Sequence, residues 1–367
     1  MPISVAKAKR ESQAEWLRAI VEAMANAVVV TDEKGRVVLV NGALEQIFAR
    51  RGAIGRRAKD VIDDDRLRGA LRTARKLGRS SEVELERTRG GKRSSYRAHV
   101  TPLPNRAGAV AVLHDITSLA EADQLRRDFV GNASHELRTP LMAIRGFAET
   151  LRDGALDDRE AARRFLATIL SQTARLERLA EDLLSLARAE SSDDAFELAP
   201  LDVRGVASDV VASFGPAARA KRITLDLQIP LRPVRARANA RALEQVLGNL
   251  VDNAIKYSPA RRRVAVTVGA STRGRVRIEV RDSGPGIAPE HQERVFERFY
   301  RVDEGRSREM GGTGLGLAIV RHLVARLGGT IALESEPGEG AAFLIELRRA
   351  TTRRRRPAAR PRSGRRR

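Results

Sequence analysis

The first third of the chain alternates short apolar runs with turn residues, a pattern that is typical of strands in a small mixed domain. The runs predict strands at residues 28–32, 37–40, 82–87, 94–101 and 109–114, and helices at 13–27 and around 44–48. A turn signal at 32–35 joins the first two strands into a hairpin. We therefore predict an α+β fold for this region.

Two long helical patterns follow. Residues 118–128 are charged helix formers without Pro or Gly, so we expect one continuous helix to run into the next segment. There the apolar positions fall on one stripe: Val130, Leu137, Leu141, Ile144, Ala148 and Leu151. After a break near 153–154, a second stripe comprises Phe165, Ile169, Gln172, Leu176, Leu179, Leu183 and Leu186. Two helices with one apolar face each cannot close a core, so the pattern predicts a homodimeric four-helix bundle.

His135 lies on the first of these helices but outside its apolar stripe. The imidazole is therefore expected to be exposed and within reach of another domain. Glu136 follows it directly, and Thr139 lies one turn further along. Pro140 lacks the N–H that would bond to the Glu136 carbonyl, so we expect the helix to loosen there. A single histidine on a helix is more often an ordinary surface residue, so a functional role for His135 depends on the residues around it.

The last folded region is predicted at 196–349, after a polar hinge at 191–194. Within it, a helical pattern places Asn249, Asn253 and Lys256 on one face. Amide oxygens suit Mg²⁺ and an ammonium group suits phosphate. A polar helix surface without a ligand is the plainer alternative.

Three further segments of this region are typical of nucleotide binding. Asp282 ends a predicted strand and precedes Gly284 and Gly286, so the backbone can approach a flat ligand while the carboxylate accepts from an amine. The aromatic and basic stretch 295–301 precedes a charged run at 303–310 that is typical of a mobile lid. The glycine-rich stretch 311–317 leads into a helix whose N-terminus favours phosphate. It fits neither a Walker loop nor the dinucleotide fingerprint.

Composition and charge restrict the kinds of site, location and partner that this chain can have. The 367-residue chain has no cysteine, which excludes disulfides, thiolate metal sites and a cysteine nucleophile. It has no apolar run of membrane-spanning length and no apolar core near its start, so we expect a cytoplasmic protein, with peripheral membrane association left open. The net charge is +21, and nine arginines lie in the tail at 353–367. That tail is expected to be a solvated extension, with contact to anionic surfaces or nucleic acid as the alternative.

Residues 29–41, together with 115–117, resemble the pattern of a PAS sensory domain that covers 23–117. The absence of cysteine excludes a flavin photosensor of the cysteinyl-adduct kind. No histidine occurs between residues 41 and 98 to hold haem in a central position. We therefore favour a PAS domain without ligand that dimerises or relays a signal, and its ligand, if it has one, stays unidentified.

The segment His135-Glu136-Leu137-Arg138-Thr139-Pro140 resembles the phospho-acceptor motif of bacterial sensor histidine kinases. The later motifs occur in the order of the GHKL ATP-binding fold, which these kinases share with Hsp90-type chaperones and type II topoisomerases. The whole chain thus resembles a PhoR-like sensor histidine kinase. The domains that this resemblance implies are an N-terminal helix at 1–22, a PAS-like domain at 23–117, a dimerising, phospho-accepting hairpin at 118–190, an α/β-sandwich ATP-binding domain at 196–349 and a disordered tail at 350–367.

The resemblance implies ATP-dependent phosphorylation of His135, followed by phosphoryl transfer to an aspartate of a separate response regulator of the OmpR/PhoB type. Glu136 would hold or deprotonate the imidazole, and Thr139 would position water for a phosphatase activity toward the regulator. No receiver-like region is evident in this chain. The alternatives are a GHKL ATPase or a serine-directed kinase, and a basic module that binds nucleic acid or a membrane surface.

The resemblance also assigns residues to ATP and Mg²⁺, position by position. Asn253, helped by Asn249, would be the Mg²⁺ ligand, and Asp282 would read the adenine amine. The other residues implied to contact the nucleotide are Lys256, Tyr257, Gly284, Gly286, Arg301, Thr313, Gly314, Leu315 and Gly316. Asn239 replaces an aspartate that is frequent in the family, and we interpret it as structural.

Overall fold

The structure is a computed structural model that describes residues 15–16, 18–48, 50, 52–190, 197–270, 274–303, 305 and 312–350. The chain divides into two units, Met1–Val130 and Gly131–Arg367. The predicted hinge at 191–194 and the arginine-rich tail lie outside the described residues. So do the start of the predicted first helix and most of the charged run at 303–310.

The first unit contains a five-stranded antiparallel sheet with the strand order β2-β1-β5-β4-β3. Its strands are β1 Ala27–Asp32, β2 Val37–Val40, β3 Ser81–Arg89, β4 Lys92–Pro102 and β5 Gly108–Asp115. Among the described residues, the helices that accompany them include α1 Gly42–Phe48, α2 Ala58–Val61 and α3 Asp65–Leu77. The five predicted strands and the hairpin are confirmed, whereas α2 and α3 were not predicted.

Helix α3 covers the core of this sheet. It begins where the side chain of Asp64 accepts a 2.8 Å bond from the Leu67 amide, and it ends at Gly78 with a φ of +67°. These are standard N-terminal and C-terminal signals, so the sequence did contain a sign of this helix. The apolar side chains that form the core include Val29, Val37, Leu44, Leu67, Leu71, Leu85, Val100 and Leu113.

Asn41 is a buried hydrogen-bonding centre of the first unit, with 1% of its surface exposed. Its Oδ1 accepts from the amide of Val28 at 2.9 Å and from that of Leu44 at 3.2 Å. Its Nδ2 donates to three carbonyl groups just before β1, including that of Asn26 at 2.8 Å. The side chain therefore connects the entry of the chain, β1 and α1.

The helical hairpin consists of α4 Thr117–Thr150, a π-helical turn at Leu151–Ala155 and α5 Arg159–Glu190. The predicted continuous helix and the predicted break are both confirmed, and Gly154 at the break has a φ of +127°. The rings of Phe147 and Phe165 stack across the hairpin with centroids 5.4 Å apart. Several apolar side chains of the hairpin are exposed in the single chain, among them Leu141, Leu166 and Leu170.

The rest of the second unit is an α/β sandwich, here called the nucleotide lobe. Its strands are β6 Ala199–Asp202, β7 Thr224–Gln228, β8 Arg235–Ala238, β9 Arg263–Ala270, β10 Arg275–Arg281, β11 Thr330–Glu336 and β12 Gly340–Arg348. Its helices are α6 Val203–Ala220, α7 Ala240–Tyr257, α8 Pro289–Gln292 and α9 Gly316–Arg326. The main sheet has the order β11-β12-β10-β9-β7, and only the β7–β9 pair of this sheet is parallel. Helices α6, α7 and α9 pack on it, and α9 also contacts α5.

Within the described part of the chain, no helix has both the length and the apolar character needed to cross a bilayer. The longest helices, α4 and α5, carry charged residues throughout.

We expect the substitution Asn41→Ala to destabilise the first unit by about 3 kcal/mol, because it leaves buried N–H groups of Val28 and Leu44 without an acceptor. Urea unfolding followed by circular dichroism measures this loss. Glu33→Ala, at an exposed turn position, is the control and should leave the midpoint unchanged. An Asn41→Ala midpoint equal to that of the control would contradict the structural role.

Candidate active site

Two of the cavities in the second unit share part of their lining. The larger has a volume of about 480 Å³ and includes Asp282 and Gly286 in its wall. The smaller has a volume of about 240 Å³ and includes Asn249, Thr313 and Gly316. The residues common to both walls are Asn253, Lys256, Tyr257, Val295, Tyr300, Arg301 and Leu317.

Asp282 lies directly after β10 and is buried, with 9% of its surface exposed. Its Oδ1 accepts from the Gly284 amide at 2.7 Å and from the Ala341 amide at 3.2 Å. Burial raises the pKa of this carboxyl group, and the two backbone hydrogen bonds oppose the shift. One oxygen is thus fixed by the backbone in the wall of the larger cavity.

Two glycines of the predicted motifs are required by close backbone contacts. Gly286 has a φ of +72°, and a Cβ there would lie 2.0 Å from the carbonyl oxygen of Glu336. Gly314 has a φ of +75°, and a Cβ there would lie 2.8 Å from the Cα of Phe299. No L side chain fits at either position without moving the backbone, so both glycines shape the cavity walls.

Helix α7 presents the predicted polar face. Asn253 and Lys256 line both cavities, and Lys256 Nζ lies 2.5 Å from Asp252 Oδ2. Among the described residues, the buried Nδ2 atom of Asn249 has no hydrogen-bond partner. The side chain of Asn239 caps the start of α7 by accepting from the Ala242 amide at 3.1 Å, in agreement with its structural interpretation.

The glycine-rich stretch lies at the N-terminus of α9. Thr313, Gly314 and Gly316 line the smaller cavity. The side chain of Leu315 is fully buried and is part of neither cavity wall, and Gly284 is buried beside Asp282 outside both walls. Any contact of these two residues with a nucleotide would therefore involve the backbone, and their predicted role stays a prediction.

His135 is exposed on α4, as its position outside the apolar stripe predicted. Thr139, also exposed, donates from Oγ1 to the carbonyl oxygen of His135 at 3.2 Å. The carboxylate of Glu136 is engaged elsewhere. Its Oε2 accepts from Arg175 of α5 at 2.8 Å and from Arg301 of the nucleotide lobe at 3.0 Å. The predicted role of Glu136 toward the imidazole stays a prediction.

Arg301 links the hairpin to the cavity walls. Besides Glu136, it donates to the carbonyl oxygen of Gly312 at 2.8 Å, and only 6% of its side chain is exposed. A second link joins the same two parts, because Thr313 Oγ1 donates to Asp182 Oδ2 of α5 at 2.6 Å. Two residues that were predicted to contact ATP therefore contact carboxylates of the hairpin.

Comparison with known proteins gives three family matches along the chain. The PAS fold matches residues 21–121. The His Kinase A (phospho-acceptor) domain matches residues 125–192. The histidine kinase-, DNA gyrase B-, and HSP90-like ATPase matches residues 238–351.

The sensor protein kinase WalK of Staphylococcus aureus is 32% identical over 350 residues, which are 94% of this chain and 83% of that protein. This chain belongs to the sensor histidine kinases. WalK of Staphylococcus epidermidis is also 32% identical, over 349 residues that are 94% of this chain and 57% of that protein. The present histidine kinase chain thus spans little more than half the length of that relative.

A crystal structure of the histidine kinase ThkA in complex with the response regulator protein TrrA has the same fold. It aligns with 91% of this chain and 98% of that chain, with a TM-score of 0.51 and 23% sequence identity. The predicted fold class of this histidine kinase, a PAS-like domain, a helical hairpin and an α/β sandwich, is confirmed.

Three residues around the site of this histidine kinase were not predicted. Arg175 and Asp182 lie on α5 beside its apolar stripe, and a charged residue next to such a stripe is the only signal that the sequence offered. Tyr300 lines both cavities, and its hydroxyl lies 2.6 Å from Nδ1 of His291. Nothing in the local sequence indicates that pairing, because it depends on how two short segments meet in space.

We expect Asp282→Asn to stabilise the nucleotide lobe near neutral pH. Since folding raises the pKa of Asp282, the folded state binds a proton more readily than the unfolded state, and stability falls as pH rises through that pKa. Asparagine retains an acceptor for Gly284 and Ala341 but does not ionise. Urea unfolding should therefore show a higher midpoint for the variant near pH 8 and little difference near pH 4.

The control substitution, Asp226→Asn, should shift the unfolding midpoint in the opposite direction. Hydrogen bonds from Gln228 and Arg263 lower the pKa of Asp226 in the same lobe, so Asp226→Asn should lower the midpoint near pH 8. A lower midpoint for Asp282→Asn at that pH would contradict the cost assigned to its buried charge.

Proposed function

We propose that this chain is an ATP-dependent protein histidine kinase. It transfers the γ-phosphoryl group of ATP to His135 and then to an aspartate of a separate response regulator. The observation that carries the proposal is the contact between Glu136, next to the exposed histidine, and Arg301 in the wall of the cavities. Acceptor helix and nucleotide lobe thereby meet beside the residue to be phosphorylated.

The larger cavity would take the adenine end of ATP. Asp282 has one oxygen bound by backbone amides, so its other oxygen can accept from the adenine amine. Gly286 allows close approach of the base. The smaller cavity would take the phosphates, with Lys256, Thr313 and Gly316 around them and the N-terminus of α9 favouring negative charge.

Asn253 and Asn249 fit a Mg²⁺ ion that accompanies ATP. Both line the smaller cavity, their amide oxygens are the hard donors that Mg²⁺ prefers, and Lys256 beside them is paired with Asp252. The ion would reduce the negative charge on the phosphate oxygens. Tyr257, Gly314 and Arg301 complete the proposed nucleotide contacts.

In the proposed reaction, an imidazole nitrogen of His135 attacks the γ-phosphorus in line. The N–P bond forms, the bond from phosphorus to the ADP oxygen breaks, and the ring loses a proton. Glu136 is the proposed acceptor of that proton. It follows His135 directly in the sequence, and its Oε2 is paired with Arg175 at 2.8 Å.

Two further properties belong to this proposal. Exposed apolar side chains of the hairpin, such as Leu141 and Leu170, fit a homodimeric four-helix bundle.

Thr139, one turn from His135, would position water for dephosphorylation of the regulator, which we propose to be of the OmpR/PhoB type. Since ATP is the donor, we place the reaction in the cytoplasm.

The substitution His135→Gln should abolish labelling of the full-length protein by γ-labelled ATP, because the nucleophile is removed. His99→Gln, at another exposed histidine, is the matched control and should be labelled like the wild type. The label should be lost in acid and stable in base. Label that survives in His135→Gln would contradict the acceptor assignment, and acid-stable label would favour a serine kinase.

The substitution Asn253→Ala should weaken Mg²⁺-dependent binding of a non-hydrolysable ATP analogue by about ten-fold or more, because a ligand to the ion is lost. Calorimetric titration with and without Mg²⁺ measures the effect, independently of phosphoryl transfer. Asn239→Asp preserves the cap of α7 and is the control. If analogue binding to Asn253→Ala keeps its full Mg²⁺ dependence, the residue is not a ligand.

A further inference from the structure

Two carboxylates of the hairpin bind groups that belong to the proposed phosphate site. Glu136 of α4 accepts from Arg301 at 3.0 Å, and Asp182 of α5 accepts from Thr313 at 2.6 Å. Arg301 and Thr313 both line the 240 Å³ cavity. The donors on which phosphate oxygens would depend are thus already occupied by oxygens of the protein itself.

The hairpin also forms one wall of that cavity. Arg178, Glu181 and Asp182 of α5 line it opposite residues of α7 and α9. Arg178 would attract a triphosphate, whereas the two acids would repel it. Within the described part of the glycine-rich stretch, Asp182 is the one of these three with a hydrogen bond to it, and burial raises the pKa of its carboxyl group.

A buried carboxylate can release a partner only if another one remains. Glu136 meets this condition, since Arg175 lies on the same hairpin, is 9% exposed and holds the same oxygen at 2.8 Å. When Arg301 leaves to pair with phosphate, Glu136 keeps Arg175, and Arg301 gains a new anion. Neither charge is left buried and unpaired, so the exchange avoids the penalty of breaking a buried ion pair.

We propose that Glu136 and Asp182 form an autoinhibitory clasp that holds Arg301 and Thr313 in place of the nucleotide phosphates until ATP displaces them. This inference rests on the proposed function, because it assigns the smaller cavity to the phosphates. The clasp also keeps the proposed proton acceptor of His135 bound to a lobe residue while no nucleotide is present.

Thermodynamic coupling makes the clasp measurable. If the hairpin carboxylates and the nucleotide compete for the same donors, weakening the clasp must strengthen nucleotide binding by the same factor. Loss of repulsion alone would also strengthen binding, so the clasp predicts a larger gain for Asp182→Asn than for Glu181→Gln, which removes another acid of the same cavity wall.

The test uses the full chain and Mg²⁺ with a non-hydrolysable ATP analogue, titrated by calorimetry. Asp182→Asn removes the charge and retains the size of the side chain, so we expect binding to tighten about five-fold or more. Glu136→Gln is the second variant and should also tighten binding, although it lacks the proposed proton acceptor. Ser185→Ala is the matched control, since Ser185 lies one turn from Asp182 on α5 and contacts Gln245 of the lobe outside both cavity walls.

Tighter binding in Asp182→Asn and Glu136→Gln than in the charge control Glu181→Gln, with wild-type binding in Ser185→Ala, would support the clasp. Unchanged or weaker binding in Asp182→Asn and Glu136→Gln would overturn it, while the proposed function would stand because the wild type still binds nucleotide. Equal tightening in Ser185→Ala would overturn it as well, because general loosening of the lobe would then explain the effect. Absence of binding in the wild type would refute the proposed function together with the clasp.

Discussion

One carboxylate oxygen of Glu136 is shared by two largely buried guanidinium groups, and the arrangement of the second unit depends on this sharing. Arg175 belongs to the hairpin and Arg301 to the nucleotide lobe, so a single side chain connects three elements. Buried charges are stable only when they are paired, which restricts the lobe to positions that bring Arg301 to Glu136. Since His135 is the preceding residue, this constraint also fixes where the acceptor helix lies relative to the cavities.

Helix α5 serves two kinds of contact at once. Its apolar stripe was predicted for a dimer core, yet the stripe residues Leu179 and Leu186 are only 2% exposed in a single chain, while Leu170, which lies outside the stripe, is 69% exposed. The C-terminal half of α5 packs against α9, the helix that begins with the glycine-rich stretch. Part of the stripe is therefore covered within the chain, and exposed leucines such as Leu170 lie beside the stripe.

Features that depend on local sequence pattern were predicted, whereas contacts between residues far apart in the sequence were not. The strands, the hairpin break at Gly154 and the polar face of α7 follow from periodicity and turn chemistry, and the structure contains them. Helix α3 was not predicted although Asp64 and Gly78 mark its ends, because Arg and Lys side chains separate its few apolar residues. Arg175 and Asp182 could not be found in this way, since a charged residue on a long helix is usually solvated until another domain covers it.

Two aspartates of the site show that the cost of removing a carboxylate from water can accompany two different arrangements of donors. Burial raises the pKa of both Asp282 and Asp182. Asp282 is held by backbone amides of its own lobe, which a ligand does not need, so its second oxygen stays available for recognition. Asp182 is held by the hydroxyl group of Thr313, a donor that a phosphate would use. The first carboxylate is bound by backbone donors of its own lobe, whereas the second occupies a side-chain donor in the wall of the smaller cavity.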